Sequence, residues 1–277
     1  MNRRHVSCAF DRTVELTAVP FEDTCLFQFP TFAAIDDFAH AVTSRPWNMA
    51  THCGPDVEKT IDRRRRVCRF LGLPFDHLTA PEQVHSPHVL RVRPADVGAG
   101  REGRETALRF IDGLVCDLPD VPVMQFSADC PIVLLVEPRR RVFGTAHASW
   151  RGTVAEITTE LVRRLRQAFD VDPARLIAGI CPCAGPSAYV VGDEVRRIAL
   201  ARLPEADRFF HPDAGGVWRF DLRAANVDQL IRAGVAPANI SVASICTMSD
   251  ERFYSYRREG AEAGRFALVA GFRSGQG

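Results

Sequence analysis

Three short segments gather residue types that do chemistry, each beside a turn. Gln83-Val84-His85-Ser86 carries an imidazole. Ser127-Ala128-Asp129-Cys130-Pro131 carries a thiol next to a carboxylate. Ala146-His147-Ala148-Ser149-Trp150-Arg151-Gly152 carries a second imidazole and a guanidinium. Imidazole and thiolate are donors that borderline metals take, and a thiol with an imidazole is equally a nucleophile with its base. His147 closes an apolar run and precedes a helical pattern. Backbone N–H groups at such a helix start, its dipole and the Arg151 fork can together receive an anion. Taken singly, each residue has a plainer reading: a hydrogen-bonded structural histidine, or a small core cysteine. The intervals from His85 to Cys130 and from Cys130 to His147 match no zinc-finger spacing.

The elements that must position these residues are legible in part. Val121–Phe126 and Ile132–Val136 are short, apolar and bounded by proline, and Arg141–Ala146 has the same character, so three buried strands are expected. Ile157, Leu161, Val162, Leu165 and Phe169 fall on one helical face, with Thr153 as the expected N-cap. A further helix should follow Asp221, with Leu222, Leu230 and Ile231 apolar and Gly234 closing it. Val57, Ile61, Val67, Phe70 and Leu71 mark another around the run Arg63–Arg66, with Gly72 as C-cap. That run is either a solvated helix face or a source of one arginine for an anionic ligand. Strands and helices interleave, which gives a mixed α and β class without fixing strand order.

Bulk composition narrows the function classes. The chain has 277 residues, 46% of them apolar, enough for one large domain or two small ones. Its 35 basic and 34 acidic residues leave a formal charge of +1, which argues against nucleic acid as a partner. Lys59 is the only lysine, and we read the arginine excess as compositional habit. Met1–Val19 alternates polar and apolar residues behind Arg3 and Arg4, with no apolar stretch of a signal peptide. No apolar run reaches the roughly 18 residues that suggest a membrane span. The nine cysteines, from Cys8 to Cys246, are odd in number and scattered. The expectation is reduced thiols in a cytoplasmic protein. Cys181-Pro-Cys183 is the only close pair and, as C-x-C, a poor redox motif.

Assembled in order, the motifs resemble the laccase-domain family, the YfiH-like proteins, whose members are named polyphenol oxidases, purine nucleoside phosphorylases and peptidoglycan editing factors. Gln83–Ser86 is similar to the family's Gln-Val-His-Gly, and Asp112-Gly113-Leu114-Val115 to its Asp-Gly-Leu-Val. Ser127–Pro131 resembles Thr-Ala-Asp-Cys-x-Pro, and His147–Gly152 resembles His-Ala-Gly-Trp-Arg-Gly. Gly185–Gly192, Asp221–Asn226, Cys246-Thr247, Phe253–Arg258 and Gly264-Arg265 continue the series. The match begins near residue 40 and runs to the C-terminus, leaving residues 1–39 as an N-terminal segment of the same domain and 40–277 as the family domain. There are departures. Ser86 and Ser149 stand where the family has glycine, Val190 where it has Glu, and Thr43-Ser44-Arg45 only faintly echoes an early Thr-Thr-Arg segment.

The resemblance implies a single α+β domain built as an α/β/β/α layered sandwich. It implies zinc held by His85, Cys130 and His147, three protein ligands that leave one tetrahedral position open, as catalytic sites do. It implies purine nucleoside phosphorolysis with adenosine deamination as a side activity, and a purine nucleoside and phosphate as small-molecule partners. Arg45, Arg64 and Arg151 are then candidates to hold phosphate, Asn48 a further binding candidate, and Asp129 either orients a ligand or caps a turn. Tyr254 or Tyr256 would stack on a base. Three other readings stand beside this one. Cys130 and His147 without metal would make an amidohydrolase suited to editing peptidoglycan precursors. Copper would make a polyphenol oxidase, although none of the eight histidines forms the His-x-His pairs of a copper cluster, and an isolated centre would need an axial ligand such as Met124. A degenerate site would leave a nucleotide-binding regulator. The expected assembly is a monomer or small homo-oligomer.

Overall fold

Along Ile132–Glu137 every residue is buried, yet alternate side chains enter different cores. Ile132, Leu134 and Val136 join one cluster, Val133 and Leu135 another. A strand apolar on both faces has to be covered on both, and this dictates the layers. The computed structural model describes residues 13–275. Its largest sheet has seven strands, in the spatial order β1 (Thr13–Val14), β14 (Ile240–Ala243), β10 (Ile177–Ile180), β8 (Ile132–Glu137), β9 (Val142–His147), β6 (Gly113–Cys116) and β5 (Val89–Arg91). A second sheet orders β2 (Thr17–Phe21), β3 (Thr24–Gln28), β4 (Phe38–Val42), β15 (Phe266–Phe272) and β7 (Val123–Ser127). Phe27, Phe38, Leu134, Phe143, Leu268 and Phe272 fill the space between them.

The outer face of the larger sheet packs on α4 (Ile157–Phe169) and α6 (Leu222–Arg232) through Leu161, Leu165, Val227 and Leu230. The outer face of the smaller sheet packs on α2 (Val57–Leu71) through Val67, Cys68 and Leu71. The order is helix, sheet, sheet, helix, the α/β/β/α sandwich and single α+β domain that the resemblance implies. A third sheet of β11 (Val190–Val191), β13 (Trp218–Phe220) and β12 (Phe210–Pro212) makes a satellite cluster with α3 (Trp150–Val154) and α5 (Asp193–Arg202). The remaining helices, α1 (Pro30–Ala33) and α7 (Tyr256–Glu259), are single turns. No helix among the described residues is long and apolar enough to cross a membrane.

Strand pairing places the chemistry. Ile132 on β8 and Gly113 on β6 pair antiparallel with His147 and Ala146 at the end of β9. Cys130, two residues before Ile132, and Asp112, one before Gly113, therefore flank the end of β9. Backbone bonds from His147 N to Asp112 O (2.7 Å) and from Ala148 N to Pro131 O (2.8 Å) stitch the three strand ends together.

Helix α2 forms where the sequence places it, and Gly72 closes it in the left-handed conformation at φ 65°. The three expected strands are β7, β8 and β9, shifted by one or two residues at their ends. Gly234 ends α6 with φ 99°, but Ile231 faces solvent rather than the core. One expectation is corrected. Thr153 caps no helix. The Ser149 hydroxyl accepts from Gly152 N (3.1 Å) and caps α3. Glu156, left-handed at φ 57°, then interrupts the chain before α4. Thr153 lies inside α3 and donates to Ala148 O. The reading of Met1–Val19 rests largely on residues 1–12, among them Arg3, Arg4 and Cys8, which lie outside the described residues. The eight described cysteines are free thiols.

Candidate metal centre and pocket

His85, Cys130 and His147 converge, with their ligand atoms all within 4.8 Å of one another. His147 is buried at the end of β9, Cys130 is half-buried in the turn before β8, and His85 is exposed on a loop. The two imidazoles meet edge to face, centroids 5.1 Å apart. The organiser is Asp112. Its carboxylate accepts from the N–H groups of Val84 (3.0 Å), His85 (3.0 Å) and Ser86 (2.7 Å) and from His147 Nδ1 (2.9 Å). With Nδ1 committed, His147 has Nε2 left for the centre, the arrangement that orients metal-ligating histidines. His85 sits at φ 64° and Asp129 at φ 96°, regions that residues with a Cβ rarely occupy and that concentrate at functional sites. Gln83 fastens the same loop to β7, exchanging two bonds with the backbone of Phe126 (2.9 and 2.7 Å).

Burial alone would raise the Cys130 thiol. The His147 imidazolium, with hydrogen bonds from His147 and His85, outweighs it and brings the thiol down to about 6. Burial alone would lower His147, but the Cys130 thiolate and Asp112 outweigh that and lift it to about 9. Asp112 is held below the ordinary carboxylate range. Its burial works against this, and His147 with the Val84 and Ser86 N–H groups prevails. Without a metal, these shifts favour the thiolate and imidazolium forms near neutral pH; a metal would take the neutral Nε2 in place of that proton. A two-nitrogen, one-sulfur set with no carboxylate suits zinc or copper rather than magnesium or calcium, so the residues fit a borderline metal.

A cavity of about 480 Å³ opens over the three candidate ligands, a volume ordinary for small-molecule sites. Of the residues expected from sequence, His85, Cys130, His147, Asp129, Arg64, Arg151 and Tyr256 line it; Arg45, Asn48 and Tyr254 do not. Arg45 pairs with Glu259 at 3.2 Å and lies over the Tyr254 ring. Asn48 accepts from Ala50 N and Arg265 N and donates to Ala50 O and Cys53 O, so it orders its loop. Arg64 reaches the cavity wall, and its guanidinium donates to the carbonyls of Met49, Gly100 and Arg101, bonds that compete with the phosphate role expected for it. Asp129 accepts from Thr247 Oγ1 (2.7 Å), Ser255 Oγ (3.0 Å) and Arg257 N (2.8 Å). It secures the turn, while Asp112 orients the imidazole. Met124 is buried between the smaller sheet and α2 and supplies no axial thioether. Arg151 lies over the Trp150 ring at 4.4 Å.

Asp112 has no role legible from sequence beyond its Asp-Gly-Leu-Val segment, and neither do His52, Tyr189, Arg257 and Arg265, which complete the wall. The two serine departures have structural explanations. Ser149 caps α3, and Ser86 Oγ donates to Phe110 O and accepts from His88 N.

Known proteins resemble this chain in sequence and in fold. A family model described as multi-copper polyphenol oxidoreductase laccase matches residues 39–273. A relative named purine nucleoside phosphorylase YlmD, from Geobacillus stearothermophilus, is 33% identical over 228 residues, covering 82% of this chain and 83% of its own. A relative named adenosine deaminase RL5, from an unknown prokaryotic organism, is 33% identical over 79% of this chain and 84% of its own. The crystal structure of YlmD from Geobacillus stearothermophilus superposes with a TM-score of 0.86 at 29% identity, over 93% of this chain and 99% of that one. By sequence over most of its length and by overall structure, the chain belongs to the laccase-like family of YlmD and YfiH proteins.

Proposed function

We propose that this protein is a zinc-dependent purine nucleoside phosphorylase with adenosine deaminase side activity. The observation that carries the proposal is the convergence of His85, Cys130 and His147 on the wall of a nucleoside-sized cavity; three protein donors would leave one position of a tetrahedral zinc for water or substrate. Relatives named for both reactions support it. Zinc bound there would supply a Lewis acid that activates water or polarises a substrate atom at neutral pH. The chain's own groups do the rest. Trp150, Tyr189 and Tyr256 offer aromatic surface for a purine. Arg151, Arg257 and Arg265 offer guanidinium donors for phosphate and for charge that develops as the glycosidic bond breaks. Asp112 would accept from His147 Nδ1 and so direct Nε2 to the metal.

The test is metal content by mass spectrometry together with adenosine turnover, with and without phosphate, on one sample. We expect about one zinc per chain and adenine formed only when phosphate is present; inosine would shift the main reaction to deamination. Copper with phenol oxidation would overturn the proposal. Cys130→Ala should abolish metal binding and turnover.

A second reading has its own observation. Cys130, His147 and Asp112 form a thiolate, imidazolium and carboxylate series that also describes a cysteine hydrolase acting on peptidoglycan precursors. A metal-free protein with alkylatable Cys130 and no nucleoside turnover would favour it. The proposed setting is the cytoplasm.

A further inference from the structure

Outside the cavity lies a second thiol cluster that the proposed reaction does not use. Cys183 and Cys246 face each other across a parallel β-bridge, and the bond from Thr247 N to Cys183 O (3.1 Å) closes it. Directly paired residues on neighbouring strands stand about 4.8 Å apart, inside the window of roughly 4.4–6.8 Å between Cα atoms that a disulfide spans. The two thiols differ. Cys246 is half-buried and its sulfur accepts from Gly185 N at 3.1 Å. Burial would raise it, but the N–H groups of Gly185, Met248 and Ser249 and the Ser249 hydroxyl outweigh that and hold it below the ordinary thiol range. Cys183 is fully buried. Its sulfur accepts from Arg223 Nε at 3.4 Å, and Arg223 also reaches the carbonyls of Cys183 (3.0 Å) and Ile245 (2.5 Å). A partly exposed sulfur ringed by donors, with a buried thiol held beside it by a guanidinium, is the arrangement of an attacking and a resolving cysteine.

Both cysteines are wired to the cavity. Thr247 donates to Asp129, whose carbonyl accepts from Ala184 N (2.8 Å) and whose neighbour is Cys130. Gly185 begins the turn that ends at Tyr189 on the cavity wall, through Tyr189 N to Gly185 O (3.1 Å). We propose that Cys246 and Cys183 form a peroxide-responsive thiol pair, whose cross-link loosens the turns that hold Asp129, Cys130 and Tyr189. The Cys246 thiolate attacks a peroxide oxygen. An S–O bond forms, the O–O bond breaks, and hydroxide leaves to take up the thiol proton as water. Cys183 then attacks the sulfenic sulfur. An S–S bond forms, the S–O bond breaks, and the hydroxyl leaves with the Cys183 proton as a second water. Drawing the Cys246 sulfur towards Cys183 takes it off Gly185 N. That the effect reaches the metal ligands rests on the zinc reading above; the cross-link itself does not.

The experiment treats the full-length protein, as purified with its metal, with hydrogen peroxide and maps its cysteines by peptide mass spectrometry. We expect a Cys183–Cys246 linked peptide that dithiothreitol reverses. In Cys183→Ala, dimedone should trap a sulfenic acid at Cys246. Oxidation that spares Cys246, or that modifies it without joining Cys183, overturns the pair. In the cross-linked wild-type protein, zinc should be lost to a chelator about tenfold more readily, the low end of the range for disturbing groups around a metal ligand. Unchanged retention with the disulfide formed overturns the coupling. Protein that carries no zinc refutes the zinc reading instead, and the peptide map still decides the cross-link.

Discussion

A single carboxylate, Asp112, accepts from three consecutive backbone N–H groups and from His147 Nδ1. It thereby fixes two of the three candidate ligands at once, the His85 loop through its backbone and the His147 ring through its tautomer. Asp112→Asn keeps the shape but turns an amide donor against N–H groups that need an acceptor. Metal affinity should fall about 10- to 100-fold, and stability by about 1–3 kcal/mol. Chelator competition and thermal denaturation measure the two; undiminished affinity would mean that Asp112 does not hold the imidazole. The Cys130–His147 pair sets a pH profile for the metal-free protein. Cys130, lowered to about 6, contributes stability that is lost as pH falls through that value. His147, raised to about 9, contributes stability that is present below its unfolded value of 6.5 and lost as pH rises through 9. Between these limits, folded and unfolded chains bind equal numbers of protons at this pair, so its contribution is flat. Melting temperatures across that range should show a plateau that Cys130→Ala lacks, and alkylation of Cys130 should persist down to about pH 6.

At the scale of elements, the site depends on how strands end. β9 delivers His147 at its last residue, and a tight turn leads into α3. Ser149 stabilises that turn by capping Gly152 N while fully buried. Ser149→Ala should cost about 1 kcal/mol, as N-cap removal does. Urea denaturation will show the loss, and a stability equal to wild type would mean that the hydroxyl adds nothing to the turn. Because Thr153 also bonds Ala148 O and accepts from Asn226 on α6, the turn after His147 is braced from the helix layer as well.

For the whole molecule, Arg64 shows how layers are joined. It projects from α2 into a buried position and bonds Met49 O, Gly100 O and Arg101 O, which belong to two separate loops. Burial lowers its guanidinium to about 10 without neutralising it at physiological pH. Arg64→Met should leave those carbonyls without a donor and cost about 3 kcal/mol or more. Equilibrium denaturation reads that cost. The dependence of turnover on phosphate should stay as in wild type, and a raised phosphate requirement in a well-folded variant would return Arg64 to the binding site.

How much the chain declares in advance depends on the range of each interaction. Helix α2 with its Gly72 cap, the helical face from Ile157 to Phe169 and the three short strands are set by propensity, period and capping within windows of ten or fifteen residues, and they stand where the sequence puts them. The three candidate ligands were legible as donor types and, through the order of the motifs, as parts of one family's pattern. Their convergence was not, because periodicity is silent on which strands pair. Only the antiparallel register of β6, β9 and β8 brings Asp112, His147 and Cys130 to one end of a sheet. The same limit explains the differences. A guanidinium reads as an anion ligand until loops distant in sequence present competing carbonyls to it, as happens to Arg64. A hydroxyl next to a helical pattern reads as the cap until a left-handed residue, Glu156, divides the helix and hands that role to Ser149. Residue type and local pattern determined what chemistry was available; long-range packing, which alone decides burial and partners, determined which of those residues come together.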